Sequence, residues 1–277
     1  MYQFLHKKNK SRFLLKLIMF QILIFLGAVV SGFSLTKEQA DLVNQTIKEQ
    51  GESLSIEPGK ETINFYKHCA YILVMVYKQL DCALAVYDKI PERYPNDPSA
   101  ILTVYEYKIW ALRQSKEFAR AIEFAQKEAE KYKEDGRPLT DWNISANPPP
   151  LCWEISKTKY ALISECYEEM GQYDQAIEQL KNLIGFLQEP DRPCESKFRL
   201  QNQKEITVGI QVLYPMRIAR IYKIAGNFAE AHQQVIKVKL SLEKIKRDKI
   251  PPYLRESLQI IQDKEIPNLI KECEKKM

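Results

Sequence analysis

The sequence predicts an all-α protein built from stacked helical hairpins, and three observations lead there. Apolar residues after position 35 recur at the three- and four-residue spacing of a helix face almost to the end of the chain. The fourteen Pro and the seven Gly beyond the leader act as punctuation among these periodic stretches, and no good strand hairpin or βαβ pattern is present. A helix–turn–helix segment also recurs at a fixed offset of 55 residues.

Residues 1–34 contain Lys7, Lys8, Lys10, Arg12 and Lys16 and no acid; an apolar run follows, then the small residues Gly27, Ala28, Ser31 and Gly32. This is the order of an export signal, with a mature chain expected to begin near Phe33 or Leu35. The uncharged stretch from Leu17 to Thr36 is also long enough to cross a bilayer, so membrane anchoring through residues 13–35 is the second reading. Either way the expected location is extracytoplasmic, in a periplasm or outside the cell. No Cys precedes Cys69, which leaves a lipid-attached amino terminus without an acceptor. Removing the five leader cations from the total of 41 leaves 36, equal to the 36 acids. The body is therefore formally neutral and carries no general nucleic-acid footprint.

Residues 35–63 read as a helical lead-in. The hairpins are clearest further on, where Tyr160, Ile163, Ser164, Tyr167, Gly171, Tyr173, Ala176 and Leu180 are matched 55 residues later by Pro215, Ile218, Ala219, Tyr222, Gly226, Phe228, Ala231 and Val235. Small residues facing one another, Ser164 with Ala176 and Ala219 with Ala231, let two helix backbones approach, and Gly permits the turn between them. A further copy surrounds Tyr71, Val74, Leu80, Ala83, Tyr87, Ile90 and Pro95, and a weaker one has Phe118, Ala121 and Ala125 on its second helix.

The segment YALISECYEEMGQYDQAIEQL resembles a tetratricopeptide repeat, and PMRIARIYKIAGNFAEAHQQV is similar to a second. The stretch VYDKIPERYPNDPSA resembles envelope-associated members of the same family. The resemblance implies a right-handed α-solenoid with two hairpins in 64–133, a third in 157–190 and a fourth in 212–240. The 55-residue offset exceeds the usual 34-residue unit, so insertions are required. One, residues 134–156, is too rich in Pro to be helical throughout; the other, residues 191–211, regains a helix near its end. Residues 241–277 read as capping helices that close the exposed end of the stack.

Catalytic signatures are absent: there is no GxGxxG, P-loop or HExxH. The three His are His6 in the leader and His68 and His232 within helical pattern, and His68 beside Cys69 does not make a facing pair on a helix. The six Cys have no CxxC and no zinc spacing, so no metal or cofactor is expected. Disulfides and free buried thiols are both open for them. Asn44 and Asn143 stand in glycosylation triplets, which matter only in a host that uses them.

The groove positions implied by the resemblance fall on Ala161, Glu165, Glu168 and Glu169, then on Met216, Arg220 and Lys223. In the earlier repeats they fall on His68, Ile72, Met75 and Val76, then on Glu106, Trp110 and Arg113. An acidic turn thus stands beside a basic one. The asparagines of the subgroup that clamps carboxylate tails are missing, which disfavours that ligand. Trp110, and Trp142 in the Pro-rich insertion, are the aromatics suited to a binding hot spot. The expected function is a non-enzymatic scaffold holding a protein or peptide segment. The rivals are a polymer-modifying enzyme using the groove carboxylates and a membrane-tethered assembly subunit.

Overall fold

The computed structural model describes residues 35–57, 59–139, 148–189, 198, 202–245 and 250–277. The leader, Trp142, Asn143 and Cys194 lie outside them. The described chain is helical nearly throughout and forms a solenoid-like stack of hairpins.

Helix α1 (Lys37–Ser53) starts at Thr36, whose hydroxyl accepts from the Gln39 backbone N–H while the Gln39 side chain accepts from the Thr36 N–H. This reciprocal cap satisfies two of the four donors that a helix start leaves open. Hairpin 1 pairs α2 (Ile63–Met75) with α3 (Leu80–Arg93), and hairpin 2 pairs α4 (Pro98–Gln114) with α5 (Phe118–Lys131). Thr62 caps α2 and Asp97 caps α4, with Pro98 in the first turn, where a missing N–H costs nothing. Hairpin 3 pairs α6 (Leu151–Glu169) with α7 (Tyr173–Gln188). The short α8 (Gln203–Val208) runs through a π-helical turn (Gly209–Leu213) into α9 (Tyr214–Ile224), which pairs with α10 (Phe228–Lys244) as hairpin 4. Helix α11 (Pro252–Ile260), a second π turn (Ile261–Glu265) and α12 (Ile266–Lys276) close the end, with α12 packed on α10.

The four hairpin turns share one geometry. Lys78, Lys116, Gly171 and Gly226 each take positive φ, at 55°, 61°, 72° and 81° in chain order. In the last three, the next residue's N–H reaches back over the end of the helix: Glu117 to the Leu112 carbonyl, Gln172 to Tyr167 and Asn227 to Tyr222, at 2.8–2.9 Å. In hairpin 1 the corresponding bond, Gln79 to Leu73, spans one residue more. These bonds satisfy carbonyls that would otherwise be orphaned by the helix end. The expected small-residue contact also forms: Ser164 is fully buried, and its hydroxyl donates to the Ala176 carbonyl at 3.0 Å across hairpin 3. Ala219 and Ala231 are fully buried in hairpin 4.

The core runs along the stack as four successive apolar clusters, of which the first joins α1 through Val43 to Leu73, Val86 and Ile90 of hairpin 1. The second joins α4 and α5 to Leu151, Ile155 and Ile163 of α6. The third holds Trp153 with Leu180, Leu183 and Phe186, and the last joins hairpin 4 to Leu258, Ile266 and Leu269. The boundary expected at 156–157 is corrected by this packing. Helix α6 begins at Leu151, because Leu151, Trp153 and Ile155 have apolar sites to fill. The Pro-rich insertion is pinned at its ends: the Leu139 N–H donates to the Pro149 carbonyl at 3.1 Å and the Leu151 N–H to the Arg137 carbonyl at 2.8 Å. Cys69, Cys82, Cys166 and Cys273 are buried thiols. Burial pushes the Cys69 thiol up to about 12 and the Cys166 thiol to about 11, which keeps them protonated and unreactive.

Candidate binding face

The first helix of each hairpin contributes to one continuous face, and its two halves differ in chemistry. Along α6, Glu165, Glu168 and Glu169 sit within one turn at the carboxyl end. Arg113 of α4 reaches across to pair with both Glu165 and Glu169. On the other side Arg217 of α9 pairs with Glu168 at 2.5 Å and with Glu165 at 3.4 Å. Glu165 thus bridges the first helices of the hairpins before and after its own. The pattern continues outward, with Arg220 paired to Glu265 and Lys223 to Glu272 of the capping segment. Positive, negative, positive and negative helices therefore alternate along the stack.

Arg113 shows what such pairing does to a shielded charge. Its side chain is 15% exposed. Burial works against its charge, but the hydrogen bond to Glu169 and the charges of Glu165 and Glu169 outweigh it and push its pKa up. The acidic and basic turns read from the sequence are both real, yet they do not confront one another as expected. Arg220 and Lys223 turn away to the cap, and Arg217, which sequence reading passed over, faces the acids. Its signal was its spacing: Arg217 stands one helical turn before Arg220. Met216, expected on this face, is buried in the core of hairpin 4 instead.

The other half of the face is aromatic. Tyr71 of α2 stacks on Trp110 of α4 with centroids 5.7 Å apart and planes 16° from parallel. Tyr107 lies 6.4 Å from Trp110, and the Lys67 ammonium sits 4.3 Å above the Tyr107 ring. Tyr71 is 49% exposed, and Val76 and Tyr77 at the end of α2 are exposed as well. His68 points outward, 3.2 Å from the Gln50 side-chain oxygen of α1. Where the two halves meet, Glu106 is pushed above its ordinary carboxylate range, first by burial and then by the charge of Glu154. Glu154 is itself 4% exposed and is held by Lys157.

Among the described residues no cluster of three or more His, Cys, Asp or Glu has metal-binding geometry, and no helix is long and apolar enough to cross a membrane. Fold and face together define an all-α, solenoid-like stack with a two-part lateral surface. No protein-family model matches the chain, and none of the curated proteins does. Among solved structures it is similar to the crystal structure of BtubC (BKLC) from P. vanneervenii, at 10% identity and a TM-score of 0.44, with 87% of each chain covered. A likeness at that level assigns no function.

Proposed function

We propose that this protein is a non-enzymatic interaction scaffold of the tetratricopeptide type, working outside the cytoplasm and taking a segment of a partner protein on the face of α2 and α4. The observation that carries this reading is the stack of the half-exposed Tyr71 on the partly buried Trp110. A Trp held rigid by a stacked neighbour offers large apolar area at little cost in side-chain freedom, which is how binding hot spots are built. The remainder of the face supports the same reading by contrast. Its charges are matched within the molecule, so a partner gains little by pairing with them, whereas Tyr71, Val76 and Tyr77 of the aromatic half are exposed. Glu165 and Glu168 serve as ion-pair acceptors for Arg113 and Arg217, a positioning role rather than that of a free acid or base.

The test is selection of displayed linear peptides on the purified protein, followed by titration of the winners against Tyr71→Ala and Trp110→Ala. Each substitution is expected to weaken binding by about thirtyfold or more, in line with hot-spot losses of at least about 2 kcal/mol, while the helical circular dichroism is retained. Peptides that bind both variants as tightly as the wild type would move recognition off this face. The extracytoplasmic part of the reading is tested separately, by the intact mass of the native protein. A chain beginning near Phe33 or Leu35 supports export with cleavage, and a mass that includes the leader supports anchoring.

A further inference from the structure

A cavity of about 230 Å³ lies away from the aromatic stack, between the first half of α6, the α8–π-turn segment and α11. One wall is supplied by residues 202–213, within and just beyond the stretch that lengthens the repeat from its usual unit. Four aromatic side chains face the cavity: Trp153, Phe198, Tyr214 and Tyr253. Trp153 is fixed by Phe186 and Phe198, each with its ring centroid 5.2 Å away. Gly209 lets the Tyr214 ring lie against the π turn, because a Cβ there would come within 3.1 Å of the ring. Wide π turns of this kind recur at ligand sites.

The charges in the lining decide which ligand suits it. Glu154 holds the Lys157 ammonium with both oxygens, at 2.5 and 2.7 Å, so this buried pair is neutral as a unit. Glu205 of α8, beside Tyr253, then leaves the described lining residues with one net negative charge. Aromatic rings and the Glu205 carboxylate favour a positive guest over an anion among the described lining residues. The volume lies below the roughly 300–1,000 Å³ of sites for drug-sized ligands, so a single headgroup fits better than a nucleotide or a disaccharide.

We propose that this cavity binds an organic cation, an alkylammonium or guanidinium head on an apolar stem, with Trp153, Tyr214 and Tyr253 against the charge and Glu205 as its counter-ion. The source is either a free amine or the Lys or Arg side chain of a polypeptide. The experiment titrates the purified protein with butyltrimethylammonium, butylammonium, butanol and butyrate, which share one stem, and with the blocked peptide acetyl-Gly-Lys-Gly-amide. The two ammonium probes are expected to bind at least tenfold tighter than butanol, with butyrate weakest. Glu205→Gln and Tyr253→Ala should each reduce ammonium binding by about tenfold; both positions are accessible enough for the fold to be checked by unchanged circular dichroism. Tighter binding of the peptide than of butylammonium assigns the side-chain source, and the reverse assigns the free amine. Butanol binding within threefold of the ammonium probes, no binding of any probe, or full affinity in Glu205→Gln would overturn the proposal. None of these outcomes bears on the Tyr71–Trp110 face, which is read out with different probes.

Discussion

The two halves of the lateral face are built on similar helical hairpins, yet one is closed by charge and the other left open by apolar rings. In the α4–α6–α9–cap half, each ionic group seen as a possible recognition element finds a partner on the next helix: Arg113 with Glu165 and Glu169, Arg217 with Glu165 and Glu168, Arg220 with Glu265 and Lys223 with Glu272. In the α2–α4 half, Tyr71 stacks on a partly buried Trp110 and leaves its own ring half exposed. The difference teaches that charged residues at groove positions of a helical stack can fix the register of neighbouring hairpins. Opposed ions have a direction and a reach of a few ångströms, so they favour one alignment of two helices over its neighbours. Interdigitating apolar side chains set the rotation of each helix, and the ion pairs reinforce that choice.

The sharpest way to break this comparison is to remove its best-shielded cation. Arg113→Ala leaves Glu165 and Glu169 without the guanidinium between them and should cost about 1–3 kcal/mol, more than an exposed pair and less than a fully buried one. Denaturant melts of the variant check it. Raising sodium chloride from low to about 0.5 M should narrow the gap to wild type, because salt screens the Arg113 pairs that only the wild type has and the Glu165–Glu169 repulsion left in the variant. A loss that is the same in both salts would mean that Arg113 acts through its hydrocarbon stem and not through charge.

Next in size is the outer part of the ladder. The double variant Arg220→Glu with Lys223→Glu should lose about 1 kcal/mol, since these side chains are more than a third exposed and each pair is worth little alone. Adding Glu265→Arg and Glu272→Lys should recover most of that loss by restoring opposite charges across the same contact. Failure of the fourfold swap to recover stability would detach the cap from the ladder.

The hairpin turns offer a smaller and opposite effect. Lys116 occupies, at φ 61°, the position that Gly171 and Gly226 hold in hairpins 3 and 4. Left-handed backbone brings a Cβ against the neighbouring carbonyl, so Lys116→Gly should stabilise the protein by about 0.5–1 kcal/mol after the entropy of Gly is charged against it. A melting temperature that falls in Lys116→Gly would show that the side chain, not the turn, matters there.

The smallest effect sharpens the junction of the two halves. Glu106 is pushed above its ordinary range by burial and by Glu154, so the folded state binds its proton more tightly than the unfolded chain does. Its contribution is therefore favourable below the unfolded value and is lost as pH rises through the folded one. At pH 7 the ionised group opposes folding. Glu106→Gln should raise stability slightly at pH 7, and the gain should vanish towards pH 4; melts at the two pH values decide it, and an equal gain at both would exclude titration as the cause.

Much of the fold was legible because helices are local. The pairing of Ser164 with Ala176 follows from small residues at helical spacing, and the Gly171 and Gly226 turns follow from the only residue type that takes left-handed backbone freely. Lys78 and Lys116 hid the same turn in hairpins 1 and 2, since nothing local marks a Lys for that conformation; the packing of α2 on α3 and of α4 on α5 imposes it. Trp153 shows the same limit. Its neighbours Pro148, Pro149 and Pro150 read as an irregular insertion, while contacts with Phe186 and Leu180 from the next helix make it core.

By itself the sequence determined that the body is helical, where hairpins 3 and 4 turn and that acids and bases would cluster on α6 and α9, because these depend on neighbours three and four residues away. Which acid meets which base was decided only by tertiary structure. Glu165 and Arg217 are 52 residues apart in the chain, and their pairing depends on the rotation of one helix about its axis, which the core beneath sets through Met216, Ile218 and Ile221. A rotation of one residue turns a helix face by about 100°, enough to exchange Met216 for Arg217 at the surface, and periodicity alone leaves that margin unresolved.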